Sequence, residues 1–410
     1  MKTVLFVWEL GEGLGHAAPL AAIARSLQAR AEPLGGIRPV FAFRDPVFTR
    51  RIFGGEDWPV LPAPQFTGDL EAASYAASYA QLLAAIGFAR WSDLQAIVAA
   101  WDDLYRLVEP DLIIADHSPT ACFAARGRIP VLAIGSGFTL PPSEFPEYPA
   151  LRRDMQPPAI QSRILDIANR LLKARNVAPL KHLPQLLQGD ARAVFGLPHL
   201  DPYGPFRHDR LLGPYEPGAM ADPIAQDAGV FYYGHSRLPV TDTVVEGLVA
   251  ARLPIHAFVN GPPSAASELL RQHAKVFHDR PPELAQVFGQ CSVIVSHGGA
   301  GLTQAALAAG RPQVILPIHV ESQINGLRIA AMGAGLVVAE ATPSNAGEAA
   351  RTVSQVRLFH EKAREIAEGI TRLGLPADPP ATAAELALRL LGLISAPEDS
   401  TQGPRQDKTH

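Results

Sequence analysis

The stretch Ser296–Val338 reads SHGGAGLTQAALAAGRPQVILPIHVESQINGLRIAAMGAGLVV, and it decides how the second half of the chain folds. An apolar strand, Ser292 to Val295, leads into it. A histidine and a glycine-rich turn come next, followed by a helix of small residues and a strand, Val314 to Leu316. Such a turn presents bare backbone N–H groups at a helix N-terminus, where the helix dipole also favours an anion. The stretch therefore predicts a strand–turn–helix–strand unit that binds phosphate.

The first half of the chain alternates continuous apolar runs with segments of helical spacing. Buried parallel strands have such runs, so the alternation indicates a doubly wound α/β domain. We predict strands at Val4 to Val7, Val40 to Phe43, Val60 to Leu61, Leu112 to Ala115 and Val131 to Ile134. We predict helices after the loop LGEGLGHAAP, from about Leu70 to Val108 and from Thr120 to Arg126, and a proline-rich loop from Leu140 to Ala150.

A second α/β set follows a segment rich in proline, glycine and aspartate, Asp201 to Ala228, which has the composition of a linker. We divide the chain into a first domain at 1–205, a linker at 206–228, a second domain at 229–380, a final helical segment at 381–395 and a polar tail at 396–410. The further elements predicted are strands at Gly229 to Tyr233 and Ile255 to Val259, and helices at Thr243 to Ala251, Asn345 to Glu368 and Thr382 to Leu393.

Composition restricts the class of protein. The 410 residues carry 36 basic and 40 acidic side chains, a net charge of −4, which gives no electrostatic reason to expect binding to nucleic acid or an anionic membrane. Two cysteines, Cys122 and Cys291, exclude a disulfide framework and predict buried thiols in a reducing compartment. The N-terminus, MKTVLFVWEL, predicts a first strand and no signal peptide, and no apolar run reaches membrane-spanning length. We therefore expect a cytoplasmic protein.

The order of residues in the opening stretch resembles the donor-binding signature of the inverting, nucleotide-sugar-dependent glycosyltransferases of the GT-B fold, the family-1 type. The matching positions are His297, Gly298, Gly299, Gly301, Thr303, Gly310, Pro312, Pro317, Glu321, Gln323, Asn325, Gly333 and Gly335. The resemblance implies two Rossmann-like domains that face a cleft, with the last helix crossing back onto the first domain. It also implies a nucleotide diphosphate sugar as co-substrate, no cofactor or metal, a small apolar or aromatic acceptor, and a monomer or homodimer.

The N-terminal loop GEGLGH fails as a dinucleotide fingerprint, because His16 stands where the third glycine is required. The pattern Gly15-His16-x-x-Pro19 resembles the acceptor-side motif of the same enzymes, in which this histidine is the general base. The resemblance implies that Asp116, at the end of a predicted strand, pairs with His16. A carboxylate there would fix the tautomer and stabilise the imidazolium. The alternatives are a helix-capping His16 and an Asp116 that caps the helix beginning at Thr120.

The resemblance also implies roles on the donor side. The groups expected to meet the phosphate charge are His297, Ser236 and the backbone N–H groups of Gly298, Gly299, Ala300, Gly301 and Leu302. The candidate sugar-binding residues are Glu321, Ser322 in place of the usual glutamine, and Gln323 as its possible substitute. Glu321 could instead serve only as a favourable charge at a helix N-terminus.

One position leaves the nucleotide open. Ala305 stands where many members of the family have a glutamate that binds the ribose hydroxyls, so either a uridine or a thymidine donor remains possible. Two other functions remain open as well, a nucleotide-sugar 2-epimerase of the same fold and a non-catalytic sugar-nucleotide-binding partner of another transferase.

Overall fold

A computed structural model gives the fold of the chain. The described residues are 1–11, 14–50, 53–66, 76–151, 160–216, 220–225, 228–238 and 240–395. The predicted polar tail and part of the predicted linker lie outside them.

The first half forms a six-stranded parallel sheet with the strand order β3-β2-β1-β4-β5-β6. Its strands are β1 Lys2–Trp8, β2 Ile37–Phe43, β3 Val60–Pro62, β4 Leu112–Asp116, β5 Val131–Ser136 and β6 Ala191–Phe195. The central strands are buried on both faces, which explains their unbroken apolar sequences. Trp8 pairs with Asp116, so β1 and β4 end level with each other at the carboxyl edge.

The second half forms another six-stranded parallel sheet, with the order β12-β11-β10-β7-β8-β9. Its strands are β7 Val230–His235, β8 Ile255–Asn260, β9 Val276–Phe277, β10 Val293–Ser296, β11 Gln313–Ile315 and β12 Gly335–Val337. When its strands are renumbered from β7 and the order is read from the β9 end, it becomes 3-2-1-4-5-6, as in the first sheet. Both sheets therefore have the doubly wound Rossmann order. The prediction of two doubly wound α/β halves is therefore confirmed.

Helices connect the strands in both halves. In the first half they are α1 Leu14–Ala31, α2 Pro46–Thr49, α3 Tyr79–Leu83, α4 Trp91–Val108, α5 Pro119–Ala125 and α6 Gln161–Ala174. In the second half they are α7 Val240–Ala250, α8 Ala265–His273, α9 Leu284–Gln290, α10 Ala300–Ala308, α11 Val320–Ala331, α12 Pro343–Gln355, α13 Arg357–Thr371 and α14 Pro379–Leu390.

Two predicted helices are each interrupted. The helical region predicted to Val108 breaks at Gly87, which has a φ of 100°, and at Arg90, which is extended. The start of that prediction, at Leu70, lies outside the described residues. The helix predicted from Asn345 to Glu368 is two helices, because Val356 leaves the helical region with a φ of −86° and a ψ of 105°.

The remaining differences are smaller. Strand β10 lies one residue later than predicted, and α7 begins three residues before Thr243. Both predicted core thiols, Cys122 and Cys291, are free and buried, and burial raises the pKa of each to about 12.

No single helix in the described part of the chain is long and apolar enough to cross a membrane. The helical stretch Tyr79–Phe88 and the helix α4 would pass that test together by length and composition, although they are bent by 77°. Much of their apolar surface is buried in the core of the first domain, including Leu83, Leu94 and Trp101.

The last helix, α14, packs on α1 at the other end of the chain. Ala383, Ala384, Ala387 and Leu388 of α14 lie in one apolar cluster with the buried face of α1. Three of these four residues are alanines, which lets the two helices approach closely. The C-terminal end of the described chain is thus part of the core of the first domain.

Candidate functional site

In both sheets, the point at which the strand order reverses lies at one shared cleft. In a doubly wound sheet, ligands bind at the carboxyl edge where the strand order reverses, here between β1 and β4 and between β7 and β10. His16 follows β1, Asp116 ends β4, and His297 follows β10. These residues line a single cleft of about 1480 Å³ with walls from both halves of the chain.

His16 and Asp116 are in direct contact. His16 Nδ1 lies 3.2 Å from Asp116 Oδ2, and the imidazole also stacks on Trp8 with ring centroids 5.7 Å apart. The other ring nitrogen, Nε2, lies against Gly11, where an added Cβ would be only 2.3 Å away. Gly11 has a φ of 91°, so glycine both permits this turn and leaves room for the ring.

The protonation of the pair follows from its surroundings. Burial opposes a charge on His16, but the charge and hydrogen bond of Asp116, together with the charge of Glu321, raise the pKa of His16 above 6.5. Burial raises the pKa of Asp116, and the charge and hydrogen bond of His16 work against that rise. This is the arrangement of a base whose conjugate acid is stabilised by a carboxylate.

Asp116 does not cap the helix that follows it, so that alternative is wrong. The N-cap of α5 is Ser118, whose side chain makes no capping bond. Glu9, only 3% exposed, accepts the N–H groups of Thr120 at 3.0 Å and Ala121 at 3.2 Å instead. Burial raises the pKa of Glu9 to about 7. The only sequence signal for this residue is its place directly after β1.

His117 is a second residue that the sequence left without a role. It has a φ of 43°, in the left-handed region, and it lines the cleft beside His16 with ring centroids 5.5 Å apart. Neither ring nitrogen has a hydrogen-bond partner among the described residues. Burial lowers the pKa of His117 well below 6.5, so this ring is neutral.

The glycine-rich turn predicted from the sequence lies between β10 and α10. Gly298 has a φ of 85°, and an added Cβ there would lie 2.5 Å from Ile315. Its N–H donates to Ser296 Oγ at 3.1 Å, and its carbonyl accepts from Asn325 Nδ2 at 2.9 Å. The N-cap of α10 is Gly299, which has no side chain to cap the first turn.

Five of the six predicted residues line the cleft: His297, Gly299, Ala300, Gly301 and Leu302. The sixth, Gly298, does not line it and packs against Ile315. His297 is half-buried and lines the cleft. Its Nδ1 has no hydrogen-bond partner within the described part of the chain. Burial, followed by the charges of His319 and His235, lowers the pKa of His297 to about 4. A neutral histidine and the open N-terminus of a helix therefore meet at one place.

Glu321 lies in the first turn of α11 and lines the cleft. Its Oε1 accepts a hydrogen bond of 2.8 Å from Ser136 Oγ, at the end of β5 in the other half of the chain. The one sequence signal for Ser136 is that it is the polar last residue of an apolar strand. This bond joins the two walls of the cleft.

The prediction for Ser322 is wrong. The residue is 0% exposed, and its Oγ donates to the carbonyl of His319 while it accepts the N–H groups of Ile318 and His319. Its hydroxyl therefore caps the start of α11 and does not face the cleft. Gln323 is not among the residues that line the cleft either.

Ser236 also lies away from the position predicted for it. Its N–H donates to the carbonyl of Asn260 at 2.8 Å, and its Oγ is buried beside Gly261. The preceding residue, His235, lines the cleft in its place. The extra histidine in the Gly-His-Ser turn explains the change, because it shifts the serine past the end of the strand.

Two neighbours on α10 differ in their surroundings. Ala305 packs into an apolar cluster with Phe231, Phe258 and Ile294, so this position offers no polar group to a ligand. Gln304 lines the cleft, and its buried Oε1 has no partner among the described residues. In the same described part of the chain, no group of three or more His, Cys, Asp or Glu side chains is arranged to hold a metal ion.

Comparison with known protein sequences gives matches that each cover part of the chain. Residues 279–385 match the family model described as the C-terminal domain of erythromycin biosynthesis protein CIII-like proteins. The elloramycin glycosyltransferase ElmGT of Streptomyces olivaceus is 40% identical over 111 residues, which is 27% of each chain. The L-demethylnoviosyl transferase of Streptomyces niveus is 31% identical over 105 residues, 23% of this chain and 28% of that protein. These matches span about a quarter of either protein.

Comparison with solved structures covers nearly the whole chain. The calicheamicin glycosyltransferase CalG4 has a TM-score of 0.65 at 20% identity, and the match covers 96% of this chain and 99% of that one. The spinosyn rhamnosyltransferase SpnG, complexed with thymidine diphosphate, has a TM-score of 0.62 at 16% identity, with 94% and 100% covered. These likenesses establish the GT-B fold.

Proposed function

We propose that this chain, a homologue of natural-product glycosyltransferases with their GT-B fold, transfers a sugar from a nucleoside diphosphate to a hydroxyl group of a small acceptor. One observation carries the proposal. A His–Asp pair and an uncapped helix N-terminus with a neutral histidine face the same cleft from opposite halves of the chain. The first is suited to removing a proton, and the second is suited to holding a diphosphate.

The acceptor is activated by His16. Its neutral imidazole takes the proton of the acceptor hydroxyl while the hydroxyl oxygen attacks the anomeric carbon of the sugar. The bond from that carbon to the diphosphate oxygen breaks on the opposite face, so the anomeric configuration inverts. The imidazolium that forms is stabilised by Asp116, whose carboxylate lies 3.2 Å from the other ring nitrogen.

The leaving diphosphate gathers negative charge as the bond breaks. The N–H groups at the start of α10 and the helix dipole are already oriented towards that charge, and His297 adds a neutral ring donor beside them. This fixed environment performs the role that a divalent cation has in many sugar transferases. We therefore propose that transfer needs no metal, and turnover that is unchanged by a chelator would support this.

The donor is proposed to be a uridine or thymidine diphosphate sugar. Ala305 provides no polar group at the position expected to bind ribose hydroxyls, and a thymidine donor lacks one of those hydroxyls. The related fold of SpnG was solved with thymidine diphosphate, which favours the same class here. The acceptor is proposed to be apolar or aromatic, because Leu10, Leu82, Ile86 and Phe138 line the cleft on the first half of the chain.

The test is acceptor-dependent release of diphosphate. The protein is incubated with UDP- and dTDP-sugars, with and without a panel of phenols and apolar alcohols, and glycosylated products are identified by mass spectrometry. His16→Ala is expected to lose about 10²- to 10⁴-fold in turnover, because a general base is removed, while donor affinity stays within about twofold. His273→Ala, on the exposed end of α8, is the matched control and is expected to behave as wild type.

Each other outcome contradicts the proposal in a defined way. Interconversion of the donor sugar without an acceptor would show an epimerase, and donor binding with no turnover of any acceptor would show a non-catalytic binding protein. A His16→Ala variant that keeps more than about a tenth of the turnover would exclude His16 as the base.

A further inference from the structure

We propose that Gln304, together with Glu321 and Ser136, forms a recognition site for the hydroxyl groups of the transferred sugar. This inference rests on the proposed function, because it concerns the sugar carried by the same donor. It adds Gln304 to the residues expected to contact the sugar. Gln304 belongs to α10, whereas the residues expected from the sequence lie at the start of α11.

The surroundings of Gln304 indicate a polar ligand. The residue is 5% exposed, yet its Oε1 has no hydrogen-bond partner in the described part of the chain. It lines both the main cleft and a small cavity at the junction of the two halves, whose wall also contains Ser136, Ala300 and Glu321. A buried amide oxygen is normally satisfied, so a partner from a bound molecule is expected here.

The three side chains are chemically matched to a sugar. Glu321 has one carboxylate oxygen engaged by Ser136 Oγ at 2.8 Å and a second oxygen that accepts only. Gln304 offers an amide oxygen and an NH₂ group, so it both accepts and donates. A hydroxyl group likewise does both. A neighbouring pair of sugar hydroxyls can therefore donate to the Glu321 carboxylate and exchange hydrogen bonds with the Gln304 amide.

The position of Gln304 relative to the reacting groups supports the same ligand. It lies about one helical turn after Ala300, the first residue of α10, and the diphosphate is proposed to bind at that end of the helix. One turn advances about 5.4 Å along the helix axis, so Gln304 lies next to the first N–H groups of α10 and not among them. On the other side, Glu321 is near enough for its charge to act on His16. The site therefore lies between the phosphate end and the base, where the sugar must be.

The competing candidates on α11 are engaged elsewhere. The Ser322 hydroxyl is used in three hydrogen bonds that close the first turn of α11. Gln323 does not line the cleft. Within the described residues, Gln304 is the glutamine that lines both the cleft and the cavity at the junction.

The test separates sugar recognition from diphosphate binding. Calorimetry measures the affinities of UDP-glucose, UDP, dTDP-glucose and dTDP for wild type and for Gln304→Leu, which keeps the side-chain volume. The ratio of sugar-nucleotide affinity to free-diphosphate affinity is expected to fall about fivefold in Gln304→Leu, the effect of one lost hydrogen bond, with the diphosphates alone changed less than twofold. Gln355→Leu, on the exposed end of α12, is the matched control and should leave every affinity unchanged.

A second variant guards against a folding defect. Ser136→Ala leaves α10 untouched and removes the bond that orients Glu321, so it should lower the same ratio, and Ser136→Thr should restore it. An unchanged ratio in Gln304→Leu, or an equal loss for sugar nucleotides and free diphosphates, would overturn the inference while leaving the proposed function intact. Wild-type protein that binds none of the four probes would overturn the proposed function itself.

Discussion

The hydrogen bond between His16 and Asp116 determines at which pH the proposed base can act. A general base must be neutral to accept a proton, so His16 is inactive while it is protonated. Asp116 and Glu321 both favour the protonated form and raise the pKa of His16 above 6.5. The carboxylate that is proposed to stabilise the imidazolium in the reaction thus also delays its deprotonation as the pH rises.

This linkage predicts the pH profile of transfer. In wild type, kcat/KM should rise with pH along an acidic limb whose midpoint lies above 6.5, and this midpoint belongs to the coupled pair. Asp116→Asn removes the carboxylate charge, so the limb should move to lower pH while the maximum rate falls, because the imidazolium has lost its stabilising partner. Rates measured from pH 5 to pH 9 at subsaturating acceptor would check both effects. A limb that does not move in Asp116→Asn would show that another group titrates.

The individual site residues differ in how far the sequence could locate them. His16, Asp116 and His297 each follow a buried apolar run, and polar residues in that position come together because parallel strands end at one edge. Ser322 was misplaced because consecutive helical residues point about 100° apart, so its side chain turns away from the cleft that its neighbour Glu321 lines. Gln304 could not be singled out from the sequence, because its surroundings depend on packing between two halves that are distant in sequence.

At the scale of elements, the strand–turn–helix unit from β10 to α10 depends on backbone geometry at one residue. Gly298 takes a φ of 85° and has Ile315 Cγ2 within 2.5 Å of where a Cβ would be. Its N–H and carbonyl are held by Ser296 and Asn325. These contacts aim the N-terminus of α10 into the cleft.

Gly298→Ala should therefore weaken binding of the diphosphate by tenfold or more, because the turn must open to admit a methyl group at a positive φ. Calorimetry with UDP and dTDP measures the loss directly. Gly289→Ala is the matched control, since a Cβ at that position of α9 meets no atom within 4 Å. Unchanged affinity in a folded Gly298→Ala variant would show that the orientation of α10 does not depend on this turn.

The elements that sequence reasoning found and missed differ in burial. Strands buried on both faces have continuous apolar sequences, and β1, β2, β4 and β5 could be located within a few residues. Helices α6 and α8 and strand β6 were not predicted, because their partly exposed sequences mix polar with apolar residues. The breaks at Gly87 and Val356 were missed since helical spacing continues through them and only the tertiary packing bends the chain.

At the scale of the whole molecule, the two sheets are joined by contacts of different kinds. The Ser136–Glu321 hydrogen bond and an apolar cluster of Phe138, Val320 and Ile324 connect the two walls of the cleft. In addition, α14 returns from the second half of the chain to pack on α1. The cleft is therefore bounded by two sheets that are linked at its walls and again through α14.

The final helix gives the last prediction. Leu388 of α14 is 4% exposed and packs in the core cluster that contains the buried face of α1, although it is more than 350 residues away in sequence. Leu388→Ala leaves a cavity there and should lower the free energy of unfolding by about 2–5 kcal/mol, as measured by urea denaturation. Hydrogen exchange should show reduced protection in β1 and β2, with β7 and β8 less affected. Leu358→Ala is the control, because Leu358 on α13 is 57% exposed, and it should change stability by no more than about 0.5 kcal/mol. Equal effects of the two substitutions would mean that α14 adds nothing to the core of the first domain.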